Sequence, residues 1–376
     1  MKQVIPIILT LLLILSLGSC CKDKIKVEKQ TQIVMGAAST NGTKGIVSTK
    51  EDLVTLTQAN NNIPGFGVFG YKTTTSASPL RIFTNREVEP SVTGTGQNAV
   101  TSWTYSPIRY WDSNPTVTYQ FIAYWPWVGT TVGNAPYVSE TGKLLTINKI
   151  PNWQDSVPAL DFMTSVKMGQ YRSTSGTPAF ETGIVSFEFK HLLAKFKIKG
   201  YYIGDVDSHI KVHKITIIGS NLPTSDGTAD YTESFNEQTA SQAGFGTVTT
   251  GNTVQVLLDD SQEGIDLVEL DGDNFDDELD NGNTYEPKDI CTWLTVPSTG
   301  WTSLQLKISF SVGETAAQEI TVSDLTIGTG TTEKSKSYVV TLKFDSSAGG
   351  IKVEQVGIKD WTAVTNENDD REVYNW

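Results

Sequence analysis

The sequence is poor in basic residues and cysteine, and each shortage excludes a class of function. Its 376 residues include 29 Lys and Arg against 42 Asp and Glu, which gives a formal net charge of −13. Nucleic-acid-binding surfaces depend on clustered positive charge, so a nucleic acid is not expected as a partner. The three cysteines, Cys20, Cys21 and Cys291, are too few for a disulfide framework or a four-cysteine zinc site.

Histidine is equally scarce, and the three histidines form no recognisable site. His209 and His213 are four residues apart, the spacing of a metal-binding pair on a helix. Their surroundings alternate as a strand does, and in a strand this spacing separates two side chains by about 13 Å. His191 lies in an apolar segment and is expected to be packed. Nucleophile and phosphate-binding motifs are absent too, so we expect no metal, no cofactor and no enzymatic activity.

The sequence also lacks a long amphipathic helical pattern, and short alternating segments take its place. Residues 116–126 and 302–312, for example, alternate in the manner of strands, and Gly, Asn, Asp and Pro separate such segments along the chain. The length and the pattern predict an all-β protein with two tandem β-sandwich domains. We place these domains at residues 31–183 and 184–376.

One long hydrophobic run is present, at the N-terminus. Residues 4–18 are apolar and end in small residues just before Cys20. The run is too short and too close to the terminus for an ordinary spanning helix. Small residues before a cysteine resemble the bacterial lipobox, so we interpret residues 1–19 as a lipoprotein signal peptide and residues 20–30 as a tether. Cys20 is then the lipidated residue, and its acyl chains would anchor the exported chain to a membrane.

Two alternatives to this interpretation stay open. The run is also compatible with an ordinary secretory signal in which the cysteine is incidental. Modification of Cys21 in place of Cys20 would put a cysteine at the small-residue position of the lipobox.

Aromatic residues are concentrated in residues 102–127, a stretch with nine aromatics. Four of them are tryptophans: Trp103, Trp111, Trp125 and Trp127. Exposed tryptophans would form a carbohydrate-binding platform, whereas buried ones would form the core of the N-terminal sandwich. The aromatics fall on alternating positions among Thr, Gln and Ser, which favours a core face, with Trp125 and Trp127 at its rim.

Acidic residues are concentrated in residues 266–280, which contain eight carboxylates. An EF-hand loop needs a glycine at its sixth position, but counting from Asp271 that position is Asp276. An irregular calcium loop and a solvated acidic loop remain as the two interpretations.

Four segments in order along the chain resemble the fimbrillin family of Bacteroidota, whose members are described as FimA-like or Mfa-like. They are WTYSPIRYW (103–111), YQFIAYWP (119–126), VSFEFKHLLAKFKIKG (185–200) and the C-terminal IKVEQVGIKDW (351–361). With the lipobox, the resemblance covers nearly the whole chain. It implies two tandem transthyretin-like β-sandwich domains and a lipoprotein precursor of a type V pilus.

The resemblance also implies a mechanism of assembly. In the family, the lipidated precursor reaches the outer membrane, and a trypsin-like protease cuts the loop after the first strand. An extended strand from another subunit then fills the groove that the first strand leaves. Here residues 31–39 are the predicted first strand, and Lys44-Gly45 is the matching cleavage position. The family cut follows an arginine, so the lysine is a departure from the pattern.

Two functions from different classes follow from these observations. The first is a structural or adhesive pilus subunit on the outer membrane surface, with other fimbrial subunits and a host or bacterial surface ligand as partners. The second is a carbohydrate-binding surface lipoprotein that uses the four tryptophans and is not incorporated in a pilus.

Overall fold

The computed structural model describes the chain from residue 31 to residue 360 with gaps. The described residues are 31–37, 65–74, 78–92, 100–130, 133, 135–155, 161–171, 180, 183–203, 209–235, 243–260, 263–269, 287–325, 330–345 and 350–360. Within these ranges every regular element is a strand, and no helix is long and apolar enough to cross a membrane. The prediction of an all-β fold is confirmed.

The strands are numbered in chain order. They are β1 (Val34–Ala37), β2 (Phe66–Thr73), β3 (Leu80–Val92), β4 (Val100–Thr104), β5 (Thr118–Trp125), β6 (Tyr137–Thr141), β7 (Leu144–Pro151), β8 (Trp153–Asp155), β9 (Met163–Gln170), β10 (Ile184–Phe187), β11 (Lys190–His191), β12 (Ala194–Ile203), β13 (Ile210–Pro223), β14 (Thr228–Ser234), β15 (Gly244–Phe245), β16 (Thr250–Asp259), β17 (Ile265–Asp266), β18 (Val268–Glu269), β19 (Lys288–Thr295), β20 (Thr302–Val312), β21 (Gln318–Leu325), β22 (Lys336–Asp345) and β23 (Gly350–Asp360).

The N-terminal half is built around a six-stranded sheet with the order β11-β9-β5-β2-β3-β4. A two-stranded parallel sheet, β1-β10, packs on one side of it, and a four-stranded sheet, β15-β14-β7-β6, packs on the other. The C-terminal half is a sandwich of a sheet with the order β23-β22-β12-β19-β8 and a sheet with the order β16-β13-β20-β21. Sheets thus pack face to face in both halves, as the alternating pattern predicts.

The second half of the aromatic stretch forms β5, at the centre of the six-stranded sheet. Tyr119, Phe121 and Ala123 are buried on one face, as the alternation predicts. Ile122 and Tyr124 are fully buried on the opposite face, against the four-stranded sheet. Successive side chains of a strand point to opposite faces, so a strand that carries large residues at every position requires a layer on each side.

Strand pairing links residues on the two sides of the predicted boundary at residue 183. Two strands that follow it, β10 and β11, pair with β1 and β9, which precede it. β14 pairs with β7, and β19 pairs with β8. The division into domains at 31–183 and 184–376 stays a prediction, and these pairings connect the two parts by main-chain hydrogen bonds.

Candidate functional site: the groove around the first strand

The first strand lies between two segments that are distant from it in sequence. β1 pairs in parallel with β10, with Val34 opposite Ile184. On its other side, the Ile33 N–H donates to the Arg109 carbonyl at 2.9 Å, and the Trp111 N–H donates to the Thr31 carbonyl at 2.9 Å. Residues 31–37 therefore fill a channel with main-chain hydrogen bonds on both sides. We call the space they occupy, between residues 105–111 and β10, the first-strand groove.

Alternate side chains of the first strand enter the core at the base of this groove. Ile33 is 0% exposed and Met35 is 1% exposed, and both belong to the cluster that contains Phe66 and Trp103. The intervening Val34 is only half-buried. Burial of one such apolar side chain contributes about 1.5–3 kcal/mol. The groove thus recognises a strand in two ways, by hydrogen bonds along its backbone and by two apolar pockets.

Tyr105 fixes the strand by a hydrogen bond from its side chain. Its hydroxyl donates to the Ile33 carbonyl at 2.5 Å, and its ring packs edge-on against Phe83 with centroids 5.2 Å apart. Burial raises the pKa of the Tyr105 hydroxyl, so it stays a neutral donor. In the sequence, Tyr105 is recognisable only as one of the aromatic residues of the alternating stretch 102–127. Nothing in the local pattern pointed to this long-range contact.

Trp111 and Gly183 connect the two sides of the groove. The Gly183 carbonyl accepts hydrogen bonds from the Val34 N–H and from the Trp111 indole N–H, both at 3.1 Å. The indole is stacked on Tyr171, with centroids 5.0 Å apart and planes at 6°. Gly183 has a φ of 74°, a conformation that glycine adopts without steric cost. The two sides of the groove therefore lie 61 or more positions after Lys44 in the sequence, since they begin at Tyr105.

The tryptophans form part of the core. Trp103, Trp111 and Trp125 are 5%, 3% and 0% exposed, so the platform interpretation is wrong for these three residues. A buried indole cannot stack on a sugar, because neighbouring side chains already cover its faces. Trp125 is fully enclosed, not at a rim as expected, since β5 is central and has layers on both sides. Trp127 is half-buried, and its indole N–H donates to the Asn85 carbonyl at 3.3 Å.

The predicted sites of processing fall outside the described residues. Cys20 and Lys44-Gly45 both lie outside them, so the lipidation of Cys20 and the cleavage after Lys44 stay predictions. Most of the acidic run, from residue 270 onward, also lies outside them. Asp266, at its start, has a carboxylate oxygen 3.8 Å from the Lys211 ammonium nitrogen.

The histidines are engaged separately. The His191 Nδ1 lies 2.8 Å from the Asp161 carboxylate, and the His213 Nε2 lies 2.9 Å from the Ser311 hydroxyl. His209 is exposed. In the ranges given above, no group of three or more His, Cys, Asp or Glu side chains is placed to hold a metal ion.

The chain is similar to one protein family and to several solved structures. The fimbrillin-like family model matches residues 54–361. A fimbrial protein from Bacteroides vulgatus is 17% identical over 88% of this chain and 99% of its own, with a TM-score of 0.47. A protein ascribed to cell adhesion from Bacteroides uniformis is 13% identical over 89% and 99%, with a TM-score of 0.48. No curated protein matches the sequence.

The family model covers most of the chain and includes residues 105–111 and β10, which form the sides of the groove. The family consists of structural pilus subunits, not enzymes, which agrees with the prediction of no enzymatic activity. Membership implies a cell-surface appendage and association with other fimbrial subunits. The chain belongs to the fimbrillin-like family.

Proposed function

We propose that this protein is a structural or adhesive subunit of a type V-like fimbria on the outer membrane surface. In this proposal Cys20 anchors the precursor by its lipid, and cleavage after Lys44 frees the first strand. A strand from a second subunit then takes its place. The single observation that carries the proposal is the position of residues 31–37, where Ile33, just before β1, and Met35, within β1, fill the core between sheets formed by later residues.

The physics of exchange follows from the groove. Loss of residues 31–37 would leave the main-chain groups of β10 and residues 109–111 without partners, together with two open apolar pockets. An unpaired sheet edge and an exposed core both favour the addition of a strand. An incoming strand with apolar residues two positions apart would restore both sets of contacts.

The short length of β1 favours its replacement by a strand from a second subunit. β1 contributes four paired residues to its sheet, whereas β12 pairs with β22 over nine. Once the chain is cut, the first strand is held by non-covalent contacts alone, and a longer donor with more pairs replaces it. The family resemblance makes the C-terminal region, Lys336 to Trp376, the candidate donor. Within it, β22 and β23 already pair in the C-terminal sheet, so we propose residues 361–376 as the part that acts as donor.

Controlled cleavage tests the proposal. A recognition sequence for a specific protease replaces residues 42–47 in the chain with Cys20 and Cys21 changed to serine. We expect the uncut chain to keep its oligomeric state and the cut chain to form a ladder of polymers on gels run without boiling. Two outcomes would contradict strand exchange. In the first, the cleaved chain keeps residues 31–37 bound; in the second, it loses residues 31–37 but forms no polymers.

A disulfide between the first strand and its neighbour provides the matched control. Val34 and Ile184 are opposite each other in neighbouring strands, and paired strands place Cα atoms about 4.8 Å apart, within disulfide range. The Val34→Cys/Ile184→Cys chain, cut while oxidised, should remain unpolymerised. The same sample after reduction should polymerise.

The donor is tested by truncation. Deletion of residues 366–376 should leave the thermal melting temperature of the uncut chain nearly unchanged and remove the polymers that follow cleavage. Polymers from the truncated chain would exclude this tail as donor.

A further inference from the structure

A polar cleft lies where β9, β11, β14 and the turn before β22 meet. Its volume is about 690 Å³, within the range of about 300–1,000 Å³ that is usual for small-molecule sites. Side chains from residues 164–167, residues 188–192, Glu233 and Lys334 line it. The cleft is separate from the first-strand groove, because neither β1 nor residues 105–111 line it.

The inner wall of the cleft is polar, although it is buried. Thr164 and Ser165 are each 5% exposed, and His191 is 4% exposed. Polar side chains are costly to bury unless they form hydrogen bonds. The Thr164 hydroxyl donates to the Glu233 carboxylate at 3.2 Å, and the Ser165 hydroxyl accepts from the Glu188 N–H at 3.0 Å. Buried polar side chains that converge on one concavity are typical of a ligand site.

Two lysines at the cleft have no carboxylate partner. Lys190 and Lys334 are exposed, and within the described part of the chain neither forms an ion pair. Lys190 is opposite Thr164 in the pairing of β11 with β9, so their side chains share a face. The Lys334 ammonium nitrogen lies 3.4 Å from the Tyr231 hydroxyl oxygen, and that hydroxyl donates to Glu233 at 2.6 Å. Both lysines therefore lie beside the hydrogen-bonded group of Thr164, Glu233 and Tyr231.

The local charge of the cleft is opposite in sign to that of the whole molecule. The chain has a net charge of −13, whereas three lysines and two glutamates are among the residues that line the cleft. Lys167, the third lysine, is paired with Glu188 at 3.4 Å. Charges more than about 8 Å away are largely screened at physiological salt. A ligand with one carboxylate is therefore attracted here, whereas a polyanion that extends beyond the cleft is repelled.

The remaining polar groups of the cleft suit a ligand with hydroxyl groups. A hydroxyl both donates and accepts, so several hydroxyls on one ligand can pair with carboxylates and with ammonium groups at the same time. A sulfate has no proton to share with Glu188 and Glu233. An apolar ligand would remove these carboxylates from water without offering them a partner.

We propose that the cleft binds an acidic saccharide, a sugar that carries one carboxylate, of the hexuronic acid class. The carboxylate pairs with the ammonium groups of Lys190 and Lys334, and the sugar hydroxyls donate to Glu233 and Glu188. This binding uses none of the four tryptophans. It goes beyond the role of a pilus subunit, because it belongs to the folded, uncut chain and needs no strand exchange.

Isothermal titration calorimetry of the uncut chain with Cys20→Ser and Cys21→Ser tests the proposal. The three probes are galacturonic acid, galactose and acetate. Galacturonic acid should bind about tenfold or more tightly than galactose, which lacks the carboxylate, and than acetate, which lacks the hydroxyls. A factor of this size corresponds to the loss of one charge-assisted hydrogen bond.

Substitution of the two lysines locates the site. Lys190→Ala and Lys334→Ala should each weaken the binding of galacturonic acid by about tenfold, for the same reason. Both residues are exposed, so the melting temperature of the variants should change little. Lys307→Ala is the matched control, because Lys307 is a strand lysine outside the cleft that pairs with Glu319 at 2.8 Å. This variant should bind galacturonic acid as the parent does.

Chemical acetylation of lysine provides a second, independent measurement. Galacturonic acid should slow the acetylation of Lys190 and Lys334, followed by mass spectrometry, and leave that of Lys307 unchanged. A parent chain that binds none of the three probes would overturn the proposal. So would equal affinity for galacturonic acid and acetate, equal affinity for galacturonic acid and galactose, or lysine variants that bind like the parent. These outcomes are independent of whether the cut chain polymerises.

Discussion

At the scale of single residues, Phe121 represents the aromatic core. It is 0% exposed, and its ring lies 6.0 Å from that of Tyr119 and 5.8 Å from that of Phe180. Phe180 is far from β5 in sequence, so this contact exists only in the folded chain.

We predict that Phe121→Ala lowers the free energy of unfolding by about 3–5 kcal/mol, because truncation removes buried surface and leaves a cavity. Urea unfolding followed by tryptophan fluorescence measures the change. Tyr110→Ala, at a position that is 50% exposed, serves as the control and should change it by less than about 1 kcal/mol. Equal effects of the two substitutions would contradict the assigned core.

The lipid anchor is predicted to be attached to Cys20. We expect Cys20→Ala to abolish acyl labelling and membrane fractionation, because the signal peptide run ends directly before this residue. Cys21→Ala is the matched control and should retain both. Labelling of Cys20→Ala would contradict Cys20 as the lipidated residue and move the modification to Cys21.

At the scale of elements, the first strand has one face buried in the core and one face that is partly exposed. Met35→Lys should lower the free energy of unfolding of the uncut chain by about 3 kcal/mol, because it places a charge in an apolar pocket. Thr31→Lys, at an exposed position of the same segment, should change it by less than about 0.5 kcal/mol. Chemical denaturation measures both. Similar values for the two variants would mean that Met35 is not held in the core.

At the scale of the whole molecule, the parts before and after residue 183 depend on each other for strand partners. A fragment of residues 31–183 lacks β10, β11, β14 and β15. We expect it to show no cooperative thermal transition by itself, because its sheets then expose unpaired edges and apolar faces. Mixing it with residues 184–376 during refolding should restore a cooperative transition. Cooperative melting of the fragment 31–183 alone would support an independent domain.

Stability at alkaline pH is also a property of the whole molecule. Burial is the main cause that raises the pKa of six tyrosines: Tyr71, Tyr105, Tyr119, Tyr124, Tyr231 and Tyr338. In the unfolded chain these groups ionise near pH 10, whereas in the folded chain they keep their protons to higher pH. The stabilisation from this difference is complete below pH 10 and is lost as the pH rises above it.

We therefore predict that the free energy of unfolding, measured by urea titration, falls steeply above about pH 10, by about 1.4 kcal/mol per pH unit for each tyrosine that ionises only on unfolding. Tyr105→Phe has one such group fewer, so its stability should fall less steeply with pH. The difference in tyrosinate absorbance between the parent and Tyr105→Phe should appear together with unfolding. A difference that appears before unfolding would contradict the burial of the Tyr105 hydroxyl.

The sequence by itself determined the composition of this protein and the type of its elements. The period-two pattern identified β5, β13 and β20 as strands, because a strand with a buried face must alternate. The same pattern placed the aromatic stretch in the core. Motif order identified the fimbrillin family, since four loose segments in the right order are specific together.

Only the tertiary structure decided which strands are neighbours. β1 pairs with β10, although Val34 and Ile184 are 150 positions apart. The Tyr105 hydroxyl donates to the Ile33 carbonyl, 72 positions away. Ile122 is covered by a sheet whose strands share no sequence signal with β5. Side-chain period shows which face of a strand is buried but not which strand or sheet buries it. The first-strand groove arises from such long-range pairing, so it could not be located from the sequence.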